Sequence, residues 1–344
     1  EQVYFKDSWI HRAQAVDDAW DPEVGTEQRT RMGSIYRGSI LEHLLVQHLT
    51  AFFHVGEHNI IRLEGGDWND GLDMARQRGE SVAVTAMYAG NLRALSQLVL
   101  ALGRLGQTGV VLFAELLLLL DRLGAPVDYD SVADKQSRLA EYFAITQHAI
   151  PGERVAVPLQ ELAADLAAKA DWLYAYLRSQ EWLQQSEDLG WFNGYYDEEG
   201  QRLEGEGTGD VRMTLTGQVF TLMGGVATDE QARQIVRAAD LYLYDQTVGG
   251  FRLNTDMGPH AERLSLSLGR CFGFAFGHKE NGAMFSHMAV MYANALYQRG
   301  LVQEGFAVLD GIYRHSQDIG LCGIYPGIAE YVEPGGRGMY PCLL

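Results

Sequence analysis

The feature that most constrains the fold is the spacing of the apolar residues. They recur at three- and four-residue intervals in segments near 36–54, 81–104, 108–123, 159–178, 212–223, 229–240, 284–299 and 301–317. That period predicts a train of helices, whereas the two-residue alternation of half-buried strands is scarce. Gly, Asn and Asp gather in 65–71, 190–209, 248–258 and 325–338 and predict the connections. Helices joined by polar loops are expected to bury their apolar stripes against one another. The expected fold is therefore all-α, a toroid of helical hairpins whose site is built from loops at one end. A solenoid would need a residue-level repeat of fixed period, and none is found. The long aromatic stretch 190–209 is expected to be a binding loop.

With 344 residues, 47% of them hydrophobic, the chain can bury a large core. Asp and Glu number 45 against 27 Lys and Arg, a formal net charge of -18. That field opposes tracking along nucleic acid or binding to an anionic membrane, and it suits a small neutral substrate. The three cysteines, Cys271, Cys322 and Cys342, form no CxxC pair, so neither a disulfide framework nor a structural zinc is expected, and a reducing cytoplasm is. The most apolar run, 110–120, contains Glu115 and is too short to span a bilayer; it reads as a buried helix. No signal peptide is read at the start. Both ends, Glu1 and Leu344, read as fragment boundaries.

The densest chemical signal is Gly65-Gly66-Asp67-Trp68-Asn69-Asp70-Gly71, followed by Gly79-Glu80-Ser81-Val82. An indole offers a flat face for a sugar ring, and neighbouring carboxylates can hydrogen-bond hydroxyls or deliver a proton. The same residues also suit a capped turn, and composition alone favours neither reading. The second cluster is His278-Lys279-Glu280-Asn281-Gly282, then Phe285-Ser286-His287. A helix starting near Gly282 would put Glu280 at its mouth and His287 two turns on, roughly on the same side, where a helix N-terminus also attracts anions. An isolated histidine is more often a satisfied core residue. His54 and His58 have the spacing of a helical metal pair, but Gly56 lies between them and no third ligand is evident, so no metal site is expected. Serine hydrolase, Walker and zincin patterns do not occur, and Gly205, Gly207 and Gly209 do not form a dinucleotide fingerprint.

Taken together, GEHNIIRLEGGDWNDGLD at 56–73, RGESV at 78–82, GHKENGAMFSH at 277–287 and YPGIAEYVEPGGRGMY at 325–340 resemble glycoside hydrolase family 94, the cellobiose, chitobiose and oligoglucan phosphorylases. The resemblance runs from about 36 to 344 and is most specific in the first and third stretches. It implies that Asp70 is the general acid and that Trp68 lines the donor-sugar subsite. It further implies that Lys279 and Glu280 contact sugar, that His287 binds phosphate, and that Asp67 supports the loop or the sugar. The implied partners are an oligosaccharide and inorganic phosphate, with phosphate as co-substrate and no other cofactor, in a parent protein that is a homodimer. Residues 1–344 are then expected to be part of one α/α-barrel catalytic domain, an (α/α) six-hairpin toroid, with 1–35 an irregular entry segment. The family's amino-terminal β-sandwich, its arginine-rich segment upstream of DWND and the Thr-Gly pair after GRGMY have no match here. The chain is therefore expected to lack part of the phosphate cradle and the carboxy-terminal end of the domain.

The reaction implied is inverting phosphorolysis of β-linked glucan oligosaccharides to a sugar 1-phosphate. An inverting hydrolase needs two carboxylates about 6.5–9.5 Å apart, one to activate water. A phosphorylase needs only the acid, because phosphate is already an anionic nucleophile. Three alternatives stay open: a hydrolase on the same barrel using Glu280 or Glu330 as base, the phosphorylase-like domain of a cyclic β-1,2-glucan synthase, and a non-catalytic carbohydrate-binding toroid.

Overall fold

The computed structural model describes residues 2–4, 28–64, 66, 69, 71–147, 149–206, 211–325 and 327–342. Ten α-helices lie among them. They are α1 (Ile40–Phe53), α2 (Val82–Gly103), α3 (Val132–Thr146), α4 (Leu159–Gln180), α5 (Leu215–Met223), α6 (Asp229–Tyr242), α7 (Ala261–Ser267), α8 (Ser286–Gln298), α9 (Val302–Gln317) and α10 (Ile319–Cys322). Seven of the eight helical segments expected from apolar spacing are present, displaced by a few residues at their ends. Strands are short, at most five residues, and pair in small ladders. Among the described residues no helix is long and apolar enough to cross a membrane. The chain divides into two compact units, Glu1–Ile61 with Tyr88–Trp172, and Arg62–Met87 with Leu173–Leu344.

In the first unit, α1 opens with a capping box: Ser39 accepts the Glu42 amide, and the Glu42 carboxylate accepts the Ser39 amide at 2.6 Å. The buried Glu42 carboxylate also accepts from the Tyr36 hydroxyl at 2.7 Å and the Phe113 amide at 2.9 Å, so one side chain caps a helix and anchors a strand. That strand, Gly109–Phe113, overturns the expected helix over 108–123. It pairs antiparallel with Arg154–Pro158, Val110 opposite Val157 and Leu112 opposite Val155, and continues as a 3-10 turn, Ala114–Leu118. A short apolar run fits helix or strand equally, and here β-branched partners across the ladder decide it.

Helix α3 has no counterpart among the expected segments. Its buried stripe runs Lys135, Leu139, Tyr142, Thr146, a helical spacing with polar residues at both ends. Lys135 is fully buried, its ammonium 3.7 Å from the Trp172 ring centre and 2.8 Å from the Asn59 side-chain oxygen. Burial pushes that amine down to about 6. A second buried lysine, Lys169, sits between two carboxylates, 2.5 Å from Asp121 and 2.6 Å from Asp165, and Tyr129 donates to Asp121 at 2.9 Å.

In the second unit, α5 is buried along Leu215–Leu222, the pattern of a central helix. It packs on α8, which packs on α9. A three-stranded antiparallel sheet, Met284–Phe285, Ile328–Val332 and Gly338–Cys342, lies beside α8. The stretch 190–209, expected as a binding loop, has all four of its aromatic residues, Trp191, Phe192, Tyr195 and Tyr196, buried, and of these Tyr195 lines a pocket described below.

Lys169→Ala should destabilise the chain by about 3–5 kcal/mol in urea denaturation, because it strands two buried carboxylates without their counter-ion. A loss under about 1 kcal/mol would mean that the triad is not a buried charge cluster in solution.

Candidate active site

The site assembles within the second unit from segments far apart in sequence. Asp67, Trp68 and Asp70 lie outside the described residues; their neighbours Gly66, Asn69 and Gly71 are described. The chain enters from Arg62, which bridges Glu80, and the Leu63 amide donates to the Gly79 carbonyl at 2.9 Å. Glu64 and Gly66 have positive φ, 47° and 94°. The Asn69 amide donates to the Gly66 carbonyl at 2.8 Å, and the Asn69 side-chain oxygen accepts the Gly71 amide at 2.8 Å, an Asx turn.

Gly71 lies directly against the segment 268–271. Its carbonyl accepts the Cys271 amide at 3.1 Å, and a Cβ added there would sit 2.8 Å from the Cys271 Cβ. On the other side, a Cβ at Gly269 would lie 2.0 Å from the Gly71 carbonyl oxygen. Two glycines without side chains permit this backbone contact. Asp73 extends it, accepting the Arg270 amide at 3.2 Å and pairing with its guanidinium at 3.3 Å.

Three further segments meet in a ladder of backbone bonds. The Leu215 amide donates to Leu253 at 2.7 Å, Thr214 and Asn254 form an antiparallel bridge, and the Leu253 amide donates to Ala283 at 3.0 Å. The Asn254 side-chain amide donates to the Asn281 side-chain oxygen at 3.1 Å, and Asn281 donates in turn to the Phe274 carbonyl at 2.6 Å. A small pocket results, lined by Asn69, Tyr195, Thr214, Thr216, Asn254, Cys271 and Glu280 among others. Burial first, and then the Glu280 charge, pushes the Cys271 thiol up to about 12, so it is no nucleophile near neutral pH.

Behind the wall of this pocket lies Glu204, fully buried. It accepts from the Thr214 hydroxyl, from the Thr214 amide at 3.2 Å and from the Gly194 amide at 2.7 Å. Thr214 is also the N-cap of α5, so Glu204 ties a pocket-lining residue to the start of the central helix. Burial outweighs these donors and pushes the Glu204 carboxyl up to about 7.

The remaining expected residues are distributed as follows. Glu280 lines the pocket. Lys279 is exposed on the same turn with φ 47°, its ammonium 4.8 Å from the Phe274 ring centre. The expected helix start near Gly282 is corrected: Met284–Phe285 is strand, and α8 begins at Ser286. The sheet takes residues 284 and 285 because they pair with Tyr331 and Val332, which removes the helical phase that would have aligned Glu280 with His287. His287 is exposed in the first turn of α8 and is not among the residues lining the pocket. Glu330, the other base considered, is exposed on the strand Ile328–Val332, and Glu280 alone of the two reaches the pocket. His54 follows the last residue of α1 and the chain then turns, Gly56 donating to Ile60 at 2.9 Å, so His54 and His58 do not share a helix face. No cluster of three metal-ligating side chains occurs among the described residues. Thr214, Thr216, Asn254 and Tyr195 were not singled out from sequence; the available signal was their position in or beside the Gly-rich connections.

Residues 161–315 match the family model described as Glycosyl hydrolase 94 superfamily, catalytic domain, a stretch that includes GHKENGAMFSH at 277–287. A solabiose phosphorylase of Paenibacillus borealis is 23% identical over 250 residues, 73% of this chain and 24% of that protein. The chain thus spans about a quarter of the length of the curated relative it matches. Among solved structures, an uncharacterized conserved protein from Thermus thermophilus aligns with 67% of this chain and 45% of its own, at 12% identity and a TM-score of 0.34. A GH63 mannosylglycerate hydrolase from the same organism aligns with 67% and 42%, at 12% identity and a TM-score of 0.32.

A carboxyl with its pKa raised from an unfolded value near 4.5 to about 7 contributes stability that is present below the lower value and is lost as pH rises through the upper one. The urea midpoint should therefore fall between about pH 4.5 and 7 more steeply in the natural chain than in Glu204→Gln. Identical profiles would show that Glu204 ionises without penalty.

Proposed function

We propose that this chain carries the acid side of an inverting glycoside phosphorylase site, acting reversibly on β-linked glucan oligosaccharides with inorganic phosphate as the nucleophile. The observation that carries this reading is the convergence of Asn69 and Glu280 on one pocket, since these residues belong to the two most specific family-like stretches. The match over 161–315 supports the reaction class. The six-hairpin toroid is the architecture proposed for the domain of which residues 1–344 are part.

In this reading Asp70, one residue beyond Asn69, protonates the departing glycosidic oxygen while Trp68 stacks under the donor sugar and Asp67 supports the loop. Glu280 and Lys279 hydrogen-bond sugar hydroxyls, with Asn254 and Thr216 as neutral partners. Phosphate arrives as an anion, so no carboxylate has to deprotonate water; its ligand from this chain is His287, beside the N-terminal amides of α8. The acid must be protonated at working pH, which burial or neighbouring negative charge can secure. Asp67 and Asp73, its neighbours in sequence, are the candidates for that charge.

With sugar 1-phosphate and an oligosaccharide acceptor, the full-length protein should release phosphate, and Asp70→Asn should lower that rate by roughly 10²–10⁴-fold, the usual worth of a general acid. Retained activity in Asp70→Asn removes Asp70 from the role, and sugar release that needs no phosphate identifies a hydrolase instead. His287→Ala should chiefly raise the phosphate concentration needed for half-maximal rate, by roughly tenfold for a charge-assisted hydrogen bond. An unchanged phosphate dependence would exclude His287 as a ligand.

A further inference from the structure

A second cleft in the same unit shares no lining residue with the pocket of Asn69 and Glu280. It has a volume of about 450 Å3 and lies between α6, α8 and α9, with Asp240 from the first, Tyr292 from the second, Gln303 and Glu304 from the third, and Tyr244 and Phe251 at its edge. Tyr244 and Ala307 also line an adjoining cleft of about 410 Å3 that contains Gln246, Asp310 and Arg314.

Tyr292 is 1% exposed, yet its hydroxyl has no hydrogen-bond partner among the described residues. A buried hydroxyl left unpartnered costs roughly 1–3 kcal/mol, so such a group at a cavity wall points to a ligand that satisfies it. Burial, and then the charges of Asp240 and Glu304, push the phenol further up, so it stays an O–H donor. Neither carboxylate is ion-paired among the described residues. The rings form a connected edge, Tyr244 to Phe251 at 5.2 Å and Phe251 to Tyr292 at 5.1 Å, and Tyr244 is 44% exposed, with ring surface open to solvent.

We propose that this cleft is a second, non-catalytic saccharide site, in which Tyr244 carries the face of a sugar ring and Asp240, Glu304, Gln303 and the Tyr292 hydroxyl engage its hydroxyls. A neutral polyol suits the lining because each hydroxyl both donates and accepts, matching carboxylates and amides at once. An organic cation would satisfy the carboxylates alone and offers no acceptor for the Tyr292 hydroxyl, and Arg314 in the adjoining cleft is already paired with Asp310 at 2.8 Å. The two clefts joined at Tyr244 leave room for more than one sugar ring.

The choice of β-linked glucose as probe rests on the proposed function; the existence of the site does not. Calorimetric titration of the 344-residue chain with a linear β-linked gluco-tetrasaccharide, without phosphate, should show binding that Tyr244→Ala and Glu304→Gln each weaken up to roughly tenfold. Trp68→Ala should leave that component in place. The proposal is overturned if no binding is seen, if both cleft variants bind as the natural chain does, if Trp68→Ala alone abolishes binding, or if butylammonium chloride binds the cleft and the tetrasaccharide does not. Tyr244-dependent binding by this chain with no phosphate release by the full-length protein would sink the phosphorylase reading and leave this site standing; turnover by the full-length protein with binding indifferent to Tyr244 would do the reverse.

Discussion

The candidate site depends on one contact, the backbone-to-backbone seam between Gly71 and the segment 269–271. About 200 residues separate the two sides, and the carbonyl of Gly71 lies where any side chain at Gly269 would have to go. Because both residues lack a Cβ, the loop carrying the family-like acid motif can rest directly on the chain that leads into the lysine–glutamate turn. Loop closure over that distance is entropically costly, and the apolar cluster of Leu63, Leu72, Leu264, Leu268 and Phe272 around the seam supplies the offsetting burial.

The pocket beside this seam is walled by neutral hydrogen-bonding groups held by backbone bonds. Thr214 is fixed by its role at the head of α5, Asn254 by the hydrogen bond its side-chain amide donates to the Asn281 side-chain oxygen, and Asn69 by the turn it makes with Gly71. Pre-set donors and acceptors of this kind require little reorganisation when a ligand enters. Charge enters the described part of the pocket through Glu280, the one charged side chain among its described lining residues.

Much of this was legible in the sequence, for identifiable reasons. The long helices declared themselves through apolar spacing, and of the two chemical stretches Asn69 and Glu280 line the pocket, while Asp67, Trp68 and Asp70 fall outside the described residues. What was hidden had competing physics. The run 110–120 is equally apolar in either conformation, and only the ladder with Val155 and Val157 chose strand. Helix α3 was masked because Lys135 and Thr146 occupy core positions, satisfied by Asn59 and by the helix's own backbone. The start of α8 was displaced because strand pairing at residues 284 and 285, a tertiary effect, overrides the local helix signal. The contributions of Thr214 and Asn254 depend on which loops meet, and no local pattern records that.

Cys271 gives the pocket a further property. Its Cβ faces the Gly71 backbone and its sulfur lies 3.9 Å from the Gly269 carbonyl oxygen, in the seam itself, where burial pushes the thiol up to about 12. Thiolate is the form that attacks electrophiles and peroxide, so this sulfur is chemically quiet despite its position. Adding even one oxygen to it would crowd the glycine seam, and the same burial that withholds the anion also protects the fit of the two segments.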